Sequence, residues 1–164
     1  MAATAPELRS LFTYDEGSGL LLNRIHRGTT ARAGSEAGFK NGNGYRRVRV
    51  FGKQIYTHQI IWIMHYGALP PGEIDHIDGD PCNNRLENLR ACDHASNTRN
   101  SAPRSHSRNP YKGVRRDPRT QKWTARIVHD KQAYYLGAYE APEAAHAAYA
   151  SAASRLHGEF ARTG

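Results

Sequence analysis

An α+β chain in two separately organised parts is what the sequence predicts: a β-rich N-terminal region leading into a ββα core, then a small three-stranded sheet with one helix. Three observations carry that expectation. Residues 6–57 are short apolar runs interrupted by turn formers. The run Asp75-His76-Ile77-Asp78-Gly79, followed by Asn83-Asn84, Asn88-Leu89 and Asn97, has the spacing of a hairpin entering a helix. Beyond residue 110, three strand-like segments precede an alanine-rich helix.

The elements follow in order. Leu8 to Phe12 suits a short helix, and Tyr14-Asp15-Glu16-Gly17-Ser18-Gly19 a turn before Leu20-Leu21-Leu22. Tyr45 to Phe51 alternates, with Arg47 and Arg49 on one face and Val48 and Val50 on the other. Gly52-Lys53 is expected as its two-residue turn. Arginines on such a face can meet phosphate, and equally can guard a solvated sheet edge against aggregation. Thr57 is expected as the N-cap of a helix from His58 through Tyr66, ended by Gly67. Ile60, Ile61, Trp62, Ile63 and Met64 form its buried side, with His58 and His65 packing or capping. Pro70-Pro71-Gly72 breaks the chain before Glu73–Ile77, a strand returned by Asn88–Cys92. Asp93 is then the N-cap of a short helix bearing Asn97.

The domain expectation is residues 1–100 with the ββα core at about 73–100, a linker at 101–109 rich in Ser, Pro and Arg, and a C-terminal domain at 110–164. In that domain strands are expected near Tyr111–Arg115, Trp123–His129 and Ala133–Tyr139, and a helix from Pro142 to about Leu156 ended by Gly158. Ala144, Ala145, Ala148, Tyr149 and Ala152 are its packing face.

The 164 residues carry a formal charge of +8, unevenly distributed. Residues 1–54 hold nine Lys/Arg against four Asp/Glu, residues 55–100 three against six, and residues 101–164 eleven against five. An acidic middle between basic flanks suits a metal site in a polyanion-binding protein, as well as ordinary solvated faces. No run approaches the ~18 apolar residues of a membrane span, so no membrane partner is expected. The N-terminus lacks the pattern of a signal peptide. Cys82 and Cys92, the two cysteines, are not spaced for a zinc site, which favours a reducing, cytoplasmic setting.

The chemistry concentrates in the acidic run. Asp75 beside His76 places a hard oxygen donor next to a base, and a ββα unit can fold Asn97 back as a second oxygen donor. Mg²⁺, or another divalent cation such as Mn²⁺, accepts one or two side-chain oxygens when water and phosphate complete its shell. A neutral imidazole beside a cation can take a proton from water. Asp78, Asp80 and Asn83 read as turn chemistry, and His94 is a rival for the last ligand.

These residues resemble the HNH endonuclease family, in the phage and intron homing branch. The resemblance rests on Asp75-His76-Ile77-Asp78-Gly79-Asp80, Asn83-Asn84-Arg85-Leu86-Glu87-Asn88-Leu89 and Asn97, and covers roughly residues 12–100. It implies a ββα-metal nuclease in which His76 is the general base, Asp75 and Asn97 hold the metal, and Asn88 pins the loop that orients His76. It further implies products with 5′-phosphate and 3′-hydroxyl ends and a monomer acting on double-stranded DNA.

Tyr111-Lys112-Gly113-Val114-Arg115, Lys122-Trp123-Thr124-Ala125-Arg126-Ile127, Tyr135-Leu136-Gly137-Ala138-Tyr139 and Ala144-Ala145-His146-Ala147-Ala148-Tyr149 resemble an AP2/ERF domain. That resemblance implies a sheet laid in the major groove, with DNA contacts from Arg115, Lys122, Trp123, Arg126 and Tyr135. For Trp123 and Tyr135 core packing is the competing role. Asp117-Pro118 and Ala133 depart from the family pattern. The combined expectation is a phage or mobile-element homing-type endonuclease acting in a bacterial or phage-infected cell. The alternative is a non-cleaving AP2-type transcriptional regulator.

Overall fold

The computed structural model describes residues 3–94, 96–97, 109–158 and 161. The chain divides into two compact units, Met1–Asp93 and His94–Gly164. Most of the expected linker, residues 101–108, lies outside the described residues. Its last member, Asn109, is part of an anchored turn: Asn109 Nδ2 donates to the Val114 carbonyl at 2.7 Å, and Asn109 Oδ1 accepts from the Tyr111 N–H at 3.1 Å.

The first unit begins with α1 (Ala5–Leu11), where the Glu7 carboxylate accepts from both the N–H and the hydroxyl of Thr4. Strands β1 (Phe12–Asp15) and β2 (Leu20–Asn23) make an antiparallel pair. Strands β3 (Phe39–Lys40), β4 (Arg46–Val50) and β5 (Lys53–Tyr56) form a second small sheet in the order β3-β4-β5. Helix α2 (Thr57–Tyr66) follows, and β6 (Glu73–His76) pairs with β7 (Leu89–Cys92) through a connection that ends in a 3₁₀ turn at Leu86–Asn88.

Two local expectations shift by one residue. Val50 pairs with Lys53, so the hairpin turn is Phe51-Gly52 rather than Gly52-Lys53. Both turn residues have positive φ, 47° and 78°, the geometry that matches the twist of a two-residue hairpin. Thr57 is the first residue of α2 and Tyr56 its N-cap, because the Gln59 side chain returns to the Tyr56 N–H at 3.3 Å. Gly67 ends the helix in a left-handed conformation, its N–H on the Ile63 carbonyl.

The core of this unit gathers Leu8, Phe12, Leu21, Val48, Val50, Ile60, Ile61 and Leu89. Helix α2 is its centre, since Ile60 through Met64 are all buried. Burying one such aliphatic side chain stabilises by about 1.5–3 kcal/mol, so α2 is a firm floor for whatever packs on its first turn.

In the second unit β8 (Val114–Arg116), β9 (Trp123–His129) and β10 (Gln132–Tyr139) form an antiparallel sheet in the order β10-β9-β8. Helix α3 (Pro142–His157) packs on it through Ala145, Tyr149, Ala152 and Ala153 against Val114, Ala125 and Ile127. Ala144 is exposed, contrary to expectation, because the buried stripe runs 145, 149, 152 and 153 and leaves its neighbour outside. Gly113 is required twice over. Its φ is +70°, and a Cβ there would lie 2.1 Å from the Tyr149 ring and 2.7 Å from the Arg126 carbonyl.

Candidate functional site

Asp75 and His76 end strand β6, and both are buried, at 5% and 3% exposure. Burial of an acid and an imidazole is tolerated only when each has polar partners. Register supplies the first partner: Asp75 lies directly opposite Arg90 on β7. The Arg90 guanidinium donates Nε and Nη2 to Asp75 Oδ2, at 2.9 and 2.8 Å. Arg90 is a residue that motif reading passed over, although the expected pairing of Glu73–Ile77 with Asn88–Cys92 already set it opposite Asp75.

The partner of His76 is Asn84, whose Oδ1 is 2.9 Å from His76 Nε2. Asn84 is buried, and its Nδ2 reaches Thr57 Oγ1 at 3.4 Å and the Cys82 carbonyl at 3.5 Å. Its backbone is held from the other side by Tyr14, whose hydroxyl donates to the Asn84 carbonyl and accepts the Leu86 N–H. Burial pushes the Tyr14 hydroxyl above its ordinary pKa, against the Leu86 hydrogen bond, so it stays a phenol. By type and spacing Asn84 reads only as a turn former; its contacts come from elements far away in sequence.

Asn88 closes the connecting loop. Its Oδ1 accepts the Asp78 N–H at 3.0 Å, and its Nδ2 donates to Asp78 Oδ1 and the Asn83 carbonyl at 2.9 and 2.8 Å. Asp78 Oδ1 also accepts the Asp80 N–H, and Asp80 Oδ1 the Cys82 N–H, so these acids act as turn formers. Burial works to raise the Asp78 carboxyl, but hydrogen bonds from Asn83, the Asp80 N–H and Asn88 outweigh it and hold it below the ordinary value.

Rings crowd around His76. Its centroid is 5.2 Å from that of His58 and 5.8 Å from that of Tyr45, both edge-on, and His58 stacks on Tyr56 at 5.3 Å. Burial first, and the neighbouring His76 second, push His58 down to about 3, so it is a neutral packing ring at physiological pH. Burial and the neighbouring Asp75 raise the Tyr45 hydroxyl. Arg47, expected on a DNA-facing strand surface, is half-buried: its guanidinium lies 4.5 Å over the Tyr56 ring and donates to the Tyr56 hydroxyl. Arg49 is exposed.

Asn97 is half-buried among helical residues after Asp93 and belongs to the second unit, while His94 is exposed. Among the described residues no three His, Cys, Asp or Glu side chains cluster as a metal cage. Asp75 is a hard oxygen donor of the kind a divalent cation accepts when water and phosphate supply most of its shell.

In the second unit the strand period sorts the expected DNA contacts. Arg115 pairs with Thr124, and Arg126 with Tyr135. Arg115, Arg126 and Tyr135 are exposed, Tyr135 at 67%. Trp123 shares the parity of Ala125 and Ile127 and packs against the core cluster, so it does not share the exposed face of Arg126. Lys122 precedes β9 and pairs with Glu140 at 2.8 Å. A bulge between Tyr135 and Gly137 lets Leu136 pack on the core while Tyr135 remains outside.

Residues 55–99 match the family model described as HNH endonuclease. That match assigns an HNH endonuclease domain to residues 55–99. The matched stretch contains α2, the β6–β7 hairpin and Asn97, so the Asp75–His76 pair lies within it. The chain is also similar to Protein 3.8 of Escherichia phage T7, with 29% identity over 115 residues, covering 67% of this chain and 94% of the phage protein. An HNH domain points to DNA endonuclease activity, with a divalent metal as the general requirement of such nucleases. Among the described residues no helix is long and apolar enough to cross a membrane.

Proposed function

We propose that the protein is a metal-dependent DNA endonuclease of phage or mobile-element type, in which His76 is the general base and the C-terminal sheet supplies DNA affinity. The observation that carries this reading is the buried Asp75–His76 pair at the end of β6, each side chain held by its own polar partner, inside the stretch that matches HNH endonucleases. A buried histidine held on one nitrogen keeps a fixed ring orientation, as a general base requires.

Asp75 is the residue of the first unit that would hold Mg²⁺ or Mn²⁺, with water and phosphate oxygens supplying most of the shell. When bound, such an ion polarises a phosphate oxygen and stabilises charge on the leaving 3′ oxygen. The chain's own contribution is to take a proton from the attacking water at His76 and to exclude competing geometries. Arg90 fixes the Asp75 carboxylate through one oxygen, and Asn88 keeps the 78–83 loop closed beside His76. Cleavage leaves 5′-phosphate and 3′-hydroxyl ends.

The second unit is proposed as an AP2-like reader. A three-stranded sheet can enter a major groove, and Arg115, Arg126 and Tyr135 on its exposed face offer guanidinium and stacking contacts to duplex DNA. Arg49 adds a phosphate contact from the first unit. The enzyme is read as a monomer working in the bacterial cytoplasm, with homing as its biological use.

Incubation of the full chain with supercoiled plasmid separates the readings. Nicking or linearisation with Mg²⁺ or Mn²⁺, abolished by EDTA, is the expected result. Tight binding with no metal-dependent cleavage on varied DNA would replace the enzyme with a non-cleaving regulator.

A further inference from the structure

Resting on the reading of His76 as base, we propose that Asn84 is its positioning residue: it holds His76 as the Nε2–H tautomer and so assigns proton abstraction to Nδ1. A neutral imidazole has one donor and one acceptor nitrogen, and the hydrogen bond at one decides the role of the other. Which group faces His76 Nε2 is therefore the whole question. The Asn84 side chain answers it through its far end. Nδ2 lies 3.5 Å from the Cys82 carbonyl, a group that only accepts, so the amide nitrogen is turned that way. Oδ1 is then the atom 2.9 Å from His76 Nε2, and an amide oxygen accepts. Nε2 must carry the hydrogen, and Nδ1 holds the lone pair.

The arrangement is rigid because Asn84 is anchored from two separate elements and its neighbour Arg85 is closely packed. Thr57, in the first turn of α2, meets Nδ2. Tyr14 on β1 takes the Asn84 carbonyl. Gly19, after β1, leaves room for the next residue, since a Cβ there would come within 2.8 Å of the Arg85 nitrogen. The edge-on rings of His58 and Tyr45 restrict rotation of the imidazole itself. The side-chain contact with Thr57, 27 residues away, is more than a side chain that only shaped a turn would need.

Long-range ¹H–¹⁵N spectra of histidine-labelled full-length protein, recorded where the imidazole is neutral and assigned with His76→Gln, test this directly. The expected result is a protonated Nε2 and an unprotonated Nδ1. Asn84→Leu, close in volume but without an acceptor, should replace that signature by exchange between tautomers. It should also lower kcat on supercoiled plasmid about tenfold or more, since a misplaced catalytic group costs up to ~100-fold, with DNA Kd unchanged. Asn84→Asp keeps the accepting oxygen and should keep the Nε2–H signature. A wild-type spectrum with the hydrogen on Nδ1 overturns the proposal even if Asn84→Leu fails to fold. So does a folded Asn84→Leu whose tautomer and kcat match wild type. Failure of the base reading looks different: His76→Ala would still cleave while the wild-type tautomer stands.

Discussion

The two units place their polar chemistry on opposite sides of their surfaces. In the first, Asp75, His76, Asn84 and Asn88 are buried and each is hydrogen-bonded to a specific partner, and buried His58 packs edge-on to His76. In the second, the core is built from alanines, Ile127 and Tyr149, and Arg115, Arg126 and Tyr135 stand outside. A buried polar group loses several kcal/mol when its partner is removed, whereas an exposed one loses only its contribution to binding. The contrast teaches that the first unit is arranged to orient a few atoms and the second to offer a surface.

The largest effect that tests this contrast is expected at His76. His76→Ala should lower the cleavage rate on plasmid by about 10²–10⁴-fold, the range of a general base, while binding in gel-shift titrations is retained. Equal loss of both would remove the distinction between orienting and binding units.

Arg90→Ala comes next. It removes the guanidinium that faces the buried Asp75 carboxylate, and breaking such a pair costs about 3 kcal/mol. Urea unfolding should show the loss, and divalent cations should restore part of it. An unchanged midpoint would mean that the ion pair does not hold the hairpin.

On the surface unit smaller effects are expected. Arg126→Ala and Tyr135→Ala should each weaken DNA binding by about 1–3 kcal/mol, and Arg126→Ala should also flatten the salt dependence by about one ion. The melting temperature and the cleavage rate at saturating DNA should not move. Trp123→Ala should do the reverse, destabilising the unit because Trp123 packs on its core.

The last test is of a slope, which moves no single rate or affinity at neutral pH. His58 is held down to about 3 against an ordinary 6.5, so the unfolded chain binds its proton first. Its contribution to stability is whole above pH 6.5 and is lost progressively as pH falls towards 3. Asp78 adds loss in the same direction only below the ordinary carboxylate value, since its folded pKa is depressed. His58→Phe should therefore flatten stability against pH above the carboxylate range, as read from urea midpoints. A slope identical to wild type would show that His58 is not the group responsible.

How much could be read in advance depended on whether local pattern or distant packing decided the residue. Alternation along β4 and β9 and the apolar run of α2 were legible, because strand and helix periods fix which side chains share a face. The turn at Phe51-Gly52, the N-cap at Tyr56 and the exposure of Ala144 each missed by one position. Such endpoints rest on single hydrogen bonds and φ values that several neighbours could satisfy. Trp123 was read as a DNA contact from its family position, but parity with Ala125 and Ile127 draws it to the core. Among the site residues, Asp75, His76 and Asn88 stood out by spacing. Asn84 and Arg90 did not, since an asparagine in a turn and an arginine in a strand are common in isolation.

The sequence by itself determined the order of elements, the polar run that carries the HNH motif and the basic character of the flanks. Tertiary structure alone decided which partners meet inside: Arg90 at Asp75, Asn84 at His76, and Thr57 and Tyr14 at Asn84. The physical reason is range. Periodicity and turn chemistry act over a few residues, whereas a buried polar group is satisfied by whatever the fold brings to it, here from as far as 70 residues along the chain.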